Sequence, residues 1–511
     1  MDRTTATRAL IGAIVIGVVA QAVLFRVALG INVLLLTAAV LASGYVIARL
    51  AGRTDGLDPL DAWLPIAALV LAGMIGLRSD PTLVFLDAAT AATLLGASMA
   101  ALGGASVTRR SALAITVLGT LVLGWMCVGI LRVSAAARRP VDAPGWRSRM
   151  PARAAPIARG LFIALPVLLV FVVLFASADA IFATFAGNLF DWHVDLGELP
   201  IRIALAFVVA WPVAGLLAVG VGAAEIDRRT PAPVPVPQSL GAAAAEPLPT
   251  FRGLGVIEAV TILVAVDVLF ALFVVLQLAY LFGGLDTMAA GGITYANYAR
   301  GGFFQLVAVT CLAGGLVVSL HAVVERRSTA FVGSAVGLAV LNVIVLASAG
   351  LRLALYQQAY GWTELRFYID ATIAWLGIGI VAATVLLVRD RMRWLPHAMT
   401  IAAVAVLVGV NVIGPQRLVA DENVARLLNP ALVPPDGRRE LDVDYMLTLD
   451  ADAVPALVAG LQALSGDQRA AVFNELRFRW IALDQPEMTA WPAWNITRDE
   501  ARRALEPLFG R

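Results

Sequence analysis

The chain has 511 residues, of which 60% are apolar and only 14% are charged. Soluble globular domains carry about 45–50% apolar and about 25% charged residues. This composition, with a mean hydropathy of +0.84, therefore excludes an ordinary soluble enzyme and a disordered chain. The net charge of +2 gives no indication of nucleic-acid binding.

Apolar segments long enough to span a bilayer recur along most of the chain. The sequence predicts twelve spanning helices, at residues 9–29, 31–50, 62–78, 82–103, 111–131, 158–178, 199–222, 255–282, 302–323, 330–350, 368–388 and 397–414. The segment 62–78 is the shortest of the twelve. If 62–103 crosses only once, the number of spans falls to eleven.

The arginines between the predicted spans indicate the orientation, because positively charged connections stay in the cytoplasm. In the second half of the chain, fifteen arginines lie on one side of the membrane and four on the other. This bias places the connections 132–159, 224–253, 324–329 and 389–396 in the cytoplasm and the C-terminal region outside. The first half is ambiguous, because twelve spans would place the N-terminus outside and eleven would place it inside.

The spans and the polar segments between them predict an all-α, multi-pass protein of a bacterial plasma membrane, with a small helical C-terminal domain. Proline and alanine dominate the linker, which cannot build a core. The predicted parts are an N-terminal membrane block (1–131), an arginine-rich cytoplasmic connection (132–157), central spans (158–223), a Pro/Ala-rich cytoplasmic linker (224–254), a second membrane block (255–414) and the soluble C-terminal domain (415–511).

Capping residues in the sequence predict where helices begin in the C-terminal domain. Two pairs of residues match the capping box, in which two side chains satisfy free backbone donors, and one aspartate is placed to cap a helix over 453–464. Three tryptophans are expected in the domain core or against the membrane surface. The residues concerned are Ser465 with Gln468, Thr497 with Glu500, Asp452, and the tryptophans Trp480, Trp491 and Trp494.

The sequence carries no familiar catalytic or metal-binding motif. It has no lysine, so it contains neither a phosphate-binding GxxxxGK loop nor a Schiff-base lysine. Two acid-x-acid pairs, Asp442/Asp444 and Asp450/Asp452, are expected to be surface acids and helix caps. We therefore predict no catalytic, cofactor-binding or metal-binding residue, and no cofactor.

One acidic residue lies deep inside an apolar run, where an unpaired charge is costly and often functional. Asp267 is 12 residues into the span 255–282, close to the middle of the membrane. One interpretation is a protonatable relay at Asp267 with Asn342 beside it. The other is a neutral, hydrogen-bonded contact between two helices, with Asn342 as the partner.

Polar residues of both signs meet at the predicted outer ends of several spans, together with five of the eight tyrosines. They predict an outward-facing pocket in which arginines grip an anionic group and tyrosines flank it. The alternative is an aromatic belt that anchors the span ends, with each arginine paired to a nearby acid. The candidate pocket residues are Asp179, Arg300, Glu364, Arg366, Tyr298 and Tyr360.

Several long motifs resemble the bacterial membrane proteins of domain-of-unknown-function families 4153 and 4173, over roughly residues 160–511. The resemblance implies a multi-pass membrane protein with a soluble C-terminal tail, and it transfers no catalytic role. The motifs are LFASADAIF (174–182), YARGGFFQL (298–306), AYGWTELRFY (359–368), the tail segment at 424–457 and WPAWNITRDEA (491–501).

Three functions are compatible with these features. The favoured one is a non-catalytic sensor, assembly or binding module with an outward-facing polar pocket. A proton- or ion-coupled transporter that uses a mid-membrane aspartate is the alternative, and a membrane enzyme acting on an envelope lipid is the third. The expected partners are the lipid bilayer, a protein bound through the C-terminal domain and a small anionic ligand, with no nucleic acid.

Overall fold

The structure, a computed structural model, describes residues 1–53, 57–108, 112–138, 198–229, 255–282, 303–324, 328–435 and 437–510. This part of the chain contains 17 α-helices and no β-strand. Ten of the helices are long and apolar enough to cross a membrane, which confirms the all-α, multi-pass fold.

The helices fall into a membrane region and a C-terminal domain. The membrane region consists of α1 (Arg3–Leu24), α2 (Ile31–Leu50), α3 (Trp63–Met74), α4 (Pro81–Leu102), α5 (Ala112–Ala137), α6 (Leu199–Arg229), α7 (Val256–Phe282), α8 (Phe303–Val323), α9 (Thr329–Tyr360), α10 (Glu364–Val388) and α11 (Leu395–Ile413). The C-terminal domain consists of α12 (Pro415–Leu428), α13 (Val443–Thr448), α14 (Val454–Gly460), α15 (Gly466–Leu483), α16 (Pro486–Thr489) and α17 (Ile496–Phe509).

Ten of the twelve predicted spans correspond to helices that are long enough to cross a membrane. The predicted span 62–78 corresponds to α3, whose 12 residues are too few to cross, and the span 158–178 lies outside the described residues. An α-helix satisfies its backbone hydrogen bonds internally, which is what a chain in hydrocarbon requires. Large apolar side chains such as Phe85, Val268 and Leu312 accordingly lie exposed on the outside of the bundle. The predicted Pro/Ala-rich linker falls outside the described residues, except that α6 continues into it as far as Arg229.

Helix α6, which falls in the predicted central spans, packs against the N-terminal membrane block by close approach at small residues. Helices α1 and α5 both pack along α6. At the crossing of α5 and α6, a Cβ built on Gly129 would lie 2.4 Å from the Cα of Gly215. Only glycine permits this separation, so the crossing depends on the absence of two side chains.

The second membrane block is built around α9, which packs against α7, α8 and α10. This helix has 32 residues, so it is about 48 Å long at ~1.5 Å per residue, against a hydrocarbon core of about 30 Å. It is therefore longer than the hydrocarbon core is thick. It stops at Gly361, whose φ of +85° is a backbone conformation that favours glycine.

The C-terminal domain has its own apolar core, formed by α12 to α15 and α17. Two of its predicted caps, the Thr497 capping box and Asp452, are wrong. The N-cap of α17 is Asn495, whose side chain accepts from the backbone N–H of Arg498 at 3.1 Å, whereas Thr497 donates to the carbonyl of Leu77 at 2.6 Å. Contacts with the membrane region thus take precedence over local capping.

The structure also shows the positions of Ser465, Asp452 and the three tryptophans. Ser465 does occupy the N-cap position of α15, although its side chain makes no capping hydrogen bond. Asp452 is not a cap and instead contacts Arg78 at 3.2 Å. Trp480 packs on the domain core, while Trp491 and Trp494 remain 69% and 47% exposed.

The C-terminal domain docks on the turns that follow α1 and α3. Backbone N–H groups of Ala28 and Ile31 donate to the backbone carbonyls of Glu487 and Trp494 at 2.9 and 3.1 Å. From the domain side, the N–H of Ile496 donates to the carbonyl of Gly76 at 2.9 Å. We call this end of the membrane region the docking end.

The N-terminus lies at the opposite end. Arg8 of α1 donates to the carbonyl of Leu50 at 3.0 Å, which places the beginning of α1 beside the end of α2. The start of α1 and the C-terminal domain therefore lie at opposite ends of the described membrane region. Helices α3 and α4 pack against each other within it.

Candidate functional site

A cavity of about 250 Å³ lies where the C-terminal domain covers the turn between α9 and α10. Aromatic and charged side chains dominate its walls, with four arginines against two acids. The lining residues are Tyr356, Tyr360, Gly361, Trp362, Thr363, Arg366, Asn423, Arg426, Arg438, Arg439, Glu440, Leu441, Asp442 and Tyr445.

The membrane side of this cavity is formed by Arg366 and the tyrosines of α9. The guanidinium carbon of Arg366 lies 4.2 Å from the ring centroid of Tyr356, a cation–π stacking distance. One nitrogen of Arg366 also donates to the carbonyl of Gly361. Tyr360 packs beside Tyr356, with 5.0 Å between the ring centroids. Arg366 is therefore held in place before any ligand arrives.

Arg426 forms the floor of the cavity and is only 7% exposed. Its guanidinium donates to the carbonyls of residues 357–359 at the end of α9 and, at 2.9 Å, to the carbonyl of Arg438. The last carbonyls of a helix have no partners within the helix. Arg426 donates hydrogen bonds to these carbonyls, and it thereby fixes the C-terminal domain to α9.

The outer rim of the cavity carries the exposed charges. Arg438 pairs with Asp442 at 3.3 Å, and both side chains are about half exposed. Arg439 and Glu440 follow on the same segment and are also exposed. Exposed arginines of this kind can reorient toward a ligand at low cost, because a surface ion pair contributes only about 0–1 kcal/mol.

Tyr445 separates this cavity from a second, buried polar cluster. The backbone N–H of Glu364 donates to its hydroxyl at 2.8 Å, and burial raises the pKa of Tyr445 to about 12. The carboxylate of Glu364 accepts from Gln416 at 3.0 Å, and Gln416 in turn accepts from the backbone N–H of Asp450 at 2.7 Å. These bonds join α10, α12 and the domain core.

The buried cluster continues to the turn between α3 and α4. Arg78 pairs with Asp452, and the remaining oxygen of Asp452 accepts from the backbone and side chain of Ser79 at 3.0 and 2.9 Å. Asp80 caps α4 with one oxygen and accepts from the hydroxyl of Tyr368 with the other, at 2.9 Å. Burial raises the pKa of Asp80, since it outweighs these hydrogen bonds.

A family model, described as "Domain of unknown function (DUF4153)", matches residues 65–460. The chain belongs to this family. The match begins in α3, so it includes much of the N-terminal membrane block that the sequence motifs did not relate to any family, and it ends at α14. No match was found among curated proteins or among solved structures.

Of the predicted pocket residues in this DUF4153 protein, Arg366 and Tyr360 line the cavity. Glu364 lies behind Tyr445, and it is not among the described residues that form the wall. Asp179, Tyr298 and Arg300 lie outside the described residues.

Sequence reasoning missed several residues of the site. Arg426, Arg438 and Tyr445 belong to the C-terminal domain, and no pattern in the sequence places them against α9. The signal available for Arg78 was its position between two short apolar segments, where an arginine next to Ser79 and Asp80 forms a compact polar turn.

The acid-x-acid pairs of the C-terminal domain have structural partners. Asp442 caps α13 and pairs with Arg438, and Asp450 caps the turn that begins at Ala451. Within the described ranges, no group of three or more His, Cys, Asp or Glu side chains is arranged to hold a metal ion.

The predicted mid-membrane pair lies in the second membrane block. Asp267 on α7 faces α9 beside Gly337, with a carboxylate oxygen 3.6 Å from where a Cβ of that glycine would lie. Asn342 lies further along α9 and donates to the carbonyl of Thr310 at 3.2 Å. The hydrogen bonds of the described residues include none between Asp267 and Asn342.

Proposed function

We propose that this DUF4153 protein is a non-catalytic binding module of a bacterial plasma membrane, whose cavity above α9 and α10 takes a small anionic group. The observation that carries the proposal is the set of arginines and tyrosines around a cavity of about 250 Å³. A cavity of that size accommodates a single phosphate- or carboxylate-bearing group.

The arginines of the cavity divide into two kinds, and the division suits a binding site. Arg366 and Arg426 are anchored on backbone carbonyls and give the cavity a fixed positive charge. Arg438 and Arg439 are exposed at the rim and free to turn inward. Guanidinium groups bind oxyanions through two parallel hydrogen bonds, so this combination favours capture of an anion.

Sidedness is part of the proposal. The arginine bias of the sequence favours an extracytoplasmic C-terminal domain, and the cavity lies on the side of that domain. An anionic group in the periplasm or on an outer-leaflet headgroup would then reach the cavity without crossing the membrane. Binding of a protein partner through the C-terminal domain stays a prediction that no contact in the described residues tests.

The test is a thermal-unfolding titration of the full-length protein in lipid nanodiscs with inorganic phosphate, at constant ionic strength. A ligand that binds only the folded state stabilises it by about 2.7 kcal/mol at a hundredfold excess over Kd. We expect phosphate to raise the unfolding midpoint of the wild type and to lose this effect in the double variant Arg438→Gln/Arg439→Gln.

The matched control is Arg417→Gln, which removes an exposed arginine of the same domain that pairs with Glu500 away from the cavity. It should respond to phosphate as the wild type does. Equal midpoint shifts in the wild type, the double variant and the control would contradict binding in the cavity.

A second candidate function, proton-coupled transport, is favoured by one observation. Among the described residues, Asp267 Oδ1 and Asn342 Oδ1 are buried acceptors with no hydrogen-bond partner. A carboxyl in that state can exchange a proton inside the membrane. Proteoliposomes carrying a pH-sensitive dye should then show proton movement that Asp267→Asn abolishes, and unchanged movement in this variant would exclude the role.

A further inference from the structure

A buried carboxyl and a buried amide meet where the two membrane blocks touch. Asp87 lies on α4 of the N-terminal block and Asn411 on α11 of the second block, and neither side chain is exposed at all. The Nδ2 group of Asn411 donates to Oδ1 of Asp87 at 2.8 Å. The residues are 324 positions apart in sequence, so the contact is a tertiary one.

Within the described part of the chain, the hydrogen bonds of this pair leave one oxygen atom of each side chain without a donor. Both hydrogens of the Asn411 amide are engaged, one by Asp87 and one by the carbonyl of Leu407 at 3.0 Å. The amide orientation is therefore fixed. Oδ2 of Asp87 and Oδ1 of Asn411 remain, and in the described structure both are buried acceptors without a donor. Such atoms normally find a partner, because an unpaired buried acceptor costs about 1–3 kcal/mol.

The immediate surroundings of the pair are apolar. Leu83 and Val410 are fully or almost fully buried beside it, and Phe367 of α10 completes this small core. A carboxylate anion in such a place would lose its hydration and gain nothing in return unless a cation lay nearby.

The charged and titratable groups near the pair do not supply that cation. On α4, Asp80 lies two turns away on the same face and is itself acidic. On α10, Tyr368 donates its hydroxyl to Asp80. Arg78 approaches from the turn before α4, but its Nε donates to the backbone carbonyl of Asn411 at 2.6 Å, and its charge is paired with Asp452 of the C-terminal domain.

We infer that Asp87 and Asn411 form a proton-binding site. One proton on Oδ2 of Asp87 donates to Oδ1 of Asn411 and closes a cyclic acid–amide pair with two hydrogen bonds. This single proton satisfies both unpartnered oxygens and removes the buried charge. Two oxygens are too few for Ca²⁺ or Mg²⁺, which take six or more oxygen ligands, so we assign the proton as the ligand.

The position of the site links proton binding to the docking of the C-terminal domain. Loss of the proton would leave a buried anion facing an unpaired acceptor between α4 and α11. The backbone of Asn411 also holds Arg78, which pairs with Asp452. Release of the proton therefore loosens the contact between the two membrane blocks and, through Arg78, the seating of the domain.

The first experiment is infrared spectroscopy of the full-length protein in nanodiscs, recorded as difference spectra between acidic and alkaline pH, in H₂O and in D₂O. A protonated carboxyl has a carbonyl stretch that shifts on deuteration and disappears on ionisation. We expect one such band to be lost in Asp87→Asn. Two control variants, Asp267→Asn and Asp80→Asn, remove other carboxyls and should keep this band. A band that persists unchanged in Asp87→Asn overturns the proposal.

The second experiment measures hydrogen exchange of residues 415–510 across the same pH range, corrected for the intrinsic pH dependence of exchange. In the wild type we expect protection of the C-terminal domain to fall as the proton is lost. Asp87→Asn keeps both hydrogen bonds at every pH, since an amide donor replaces the acid, and its protection should stay constant. If that variant does not fold, Asp87→Leu/Asn411→Leu removes both polar groups and serves the same comparison. If hydrogen-exchange protection instead changed with sodium concentration at constant pH, the site would bind a metal cation and the proposal of a proton site would be wrong.

Discussion

The guanidinium of Arg78 lies 3.2 Å from the carboxylate of Asp452, and this buried pair joins the turn before α4 to the C-terminal domain. Their side chains are only 8% and 1% exposed. The remaining donors of Arg78 reach the carbonyls of Asn411 and Val412, at 2.6 and 2.7 Å. Because nearly every donor and acceptor is satisfied, the pair can be buried without leaving an uncompensated charge.

Removal of one partner should therefore be costly. We expect Asp452→Ala to lower the free energy of unfolding by about 3–5 kcal/mol, since it leaves the charge of Arg78 buried and unpaired. Unfolding in detergent and limited proteolysis of the C-terminal domain would measure the loss. The control is Glu500→Ala, which removes an exposed pair with Arg417 at 3.0 Å and should cost about 0–1 kcal/mol. Equal losses in the two variants would contradict a buried, satisfied pair.

The glycine between α11 and α12 is constrained by the same arginine. Gly414 has a φ of +75°, and a Cβ built on it would lie 2.6 Å from the guanidinium carbon of Arg78. Gly414→Ala should therefore destabilise the protein by roughly 1–3 kcal/mol, through backbone strain and displacement of Arg78. Gly409→Ala is the matched control, because a Cβ there meets nothing within 4 Å, and it should be neutral or slightly stabilising. Thermal unfolding of both variants decides the comparison, and a Gly414→Ala protein as stable as the control would refute it.

The raised pKa of Asp80 predicts that its contribution to protein stability decreases as the pH rises. Burial raises its pKa in the native protein, so the folded state binds a proton that the unfolded chain, with a pKa of about 3.9, releases. The resulting stabilisation is complete below about pH 4 and is lost as the pH rises through the native pKa. Asp80→Asn cannot titrate and still offers an oxygen to cap α4. The stability of the wild type relative to this variant should fall with rising pH in a series of unfolding measurements, and a rise would show the sign to be wrong.

The hydrogen bonds of Arg426 to the end of α9 predict that lysine cannot replace this arginine. Its planar guanidinium serves the carbonyls of 357–359 and of Arg438 together, whereas an ammonium group has three donors at one point. We expect Arg426→Lys to cost about 1–3 kcal/mol, because at least one buried carbonyl loses its donor. Arg438→Lys, at an exposed pair with Asp442, should change the stability by about 0.5 kcal/mol or less. Unfolding midpoints of the two variants would separate these outcomes, and similar values would contradict the capping role.

The membrane helices could be predicted from the sequence because a backbone in lipid must satisfy its hydrogen bonds within the chain. A run of about 20 apolar residues must be helical to satisfy its own N–H and C=O groups, and its approximate limits follow from composition. The orientation derived from the arginines placed Arg366 and Tyr360 at the predicted outer ends of spans, and both line the cavity. Their role in binding stays a prediction.

The contacts of the docking end could not be predicted in the same way. Arg78 and Asp452 are 374 residues apart, and no periodicity relates them. Asp452 stands two residues before a proline-containing apolar run, where an aspartate is equally suited to cap a helix or to accept from an arginine. The choice between these roles is made by burial against the membrane region, which only the assembled fold supplies.

The crossing of α5 and α6 supplies a prediction about packing alone. A Cβ on Gly215 would lie 2.1 Å from the carbonyl oxygen of Trp125, and one on Gly129 would lie 2.4 Å from the Cα of Gly215. Since both obstacles are backbone atoms, neither can move aside as a side chain would. Gly129→Ala should therefore force the helices apart and cost about 1–3 kcal/mol, the usual range for overpacking.

Gly124→Ala, five residues earlier on the same helix, is the control for this effect. Nothing lies within 4 Å of a Cβ at that position, and alanine favours a helix over glycine by about 1 kcal/mol in general. We expect its unfolding midpoint in detergent to match or exceed that of the wild type, while that of Gly129→Ala falls. Because the two substitutions are chemically identical and lie five residues apart, a difference between them reports the distance between α5 and α6 and not a property of alanine. If both variants behaved alike, the two helices would not approach each other at these glycines.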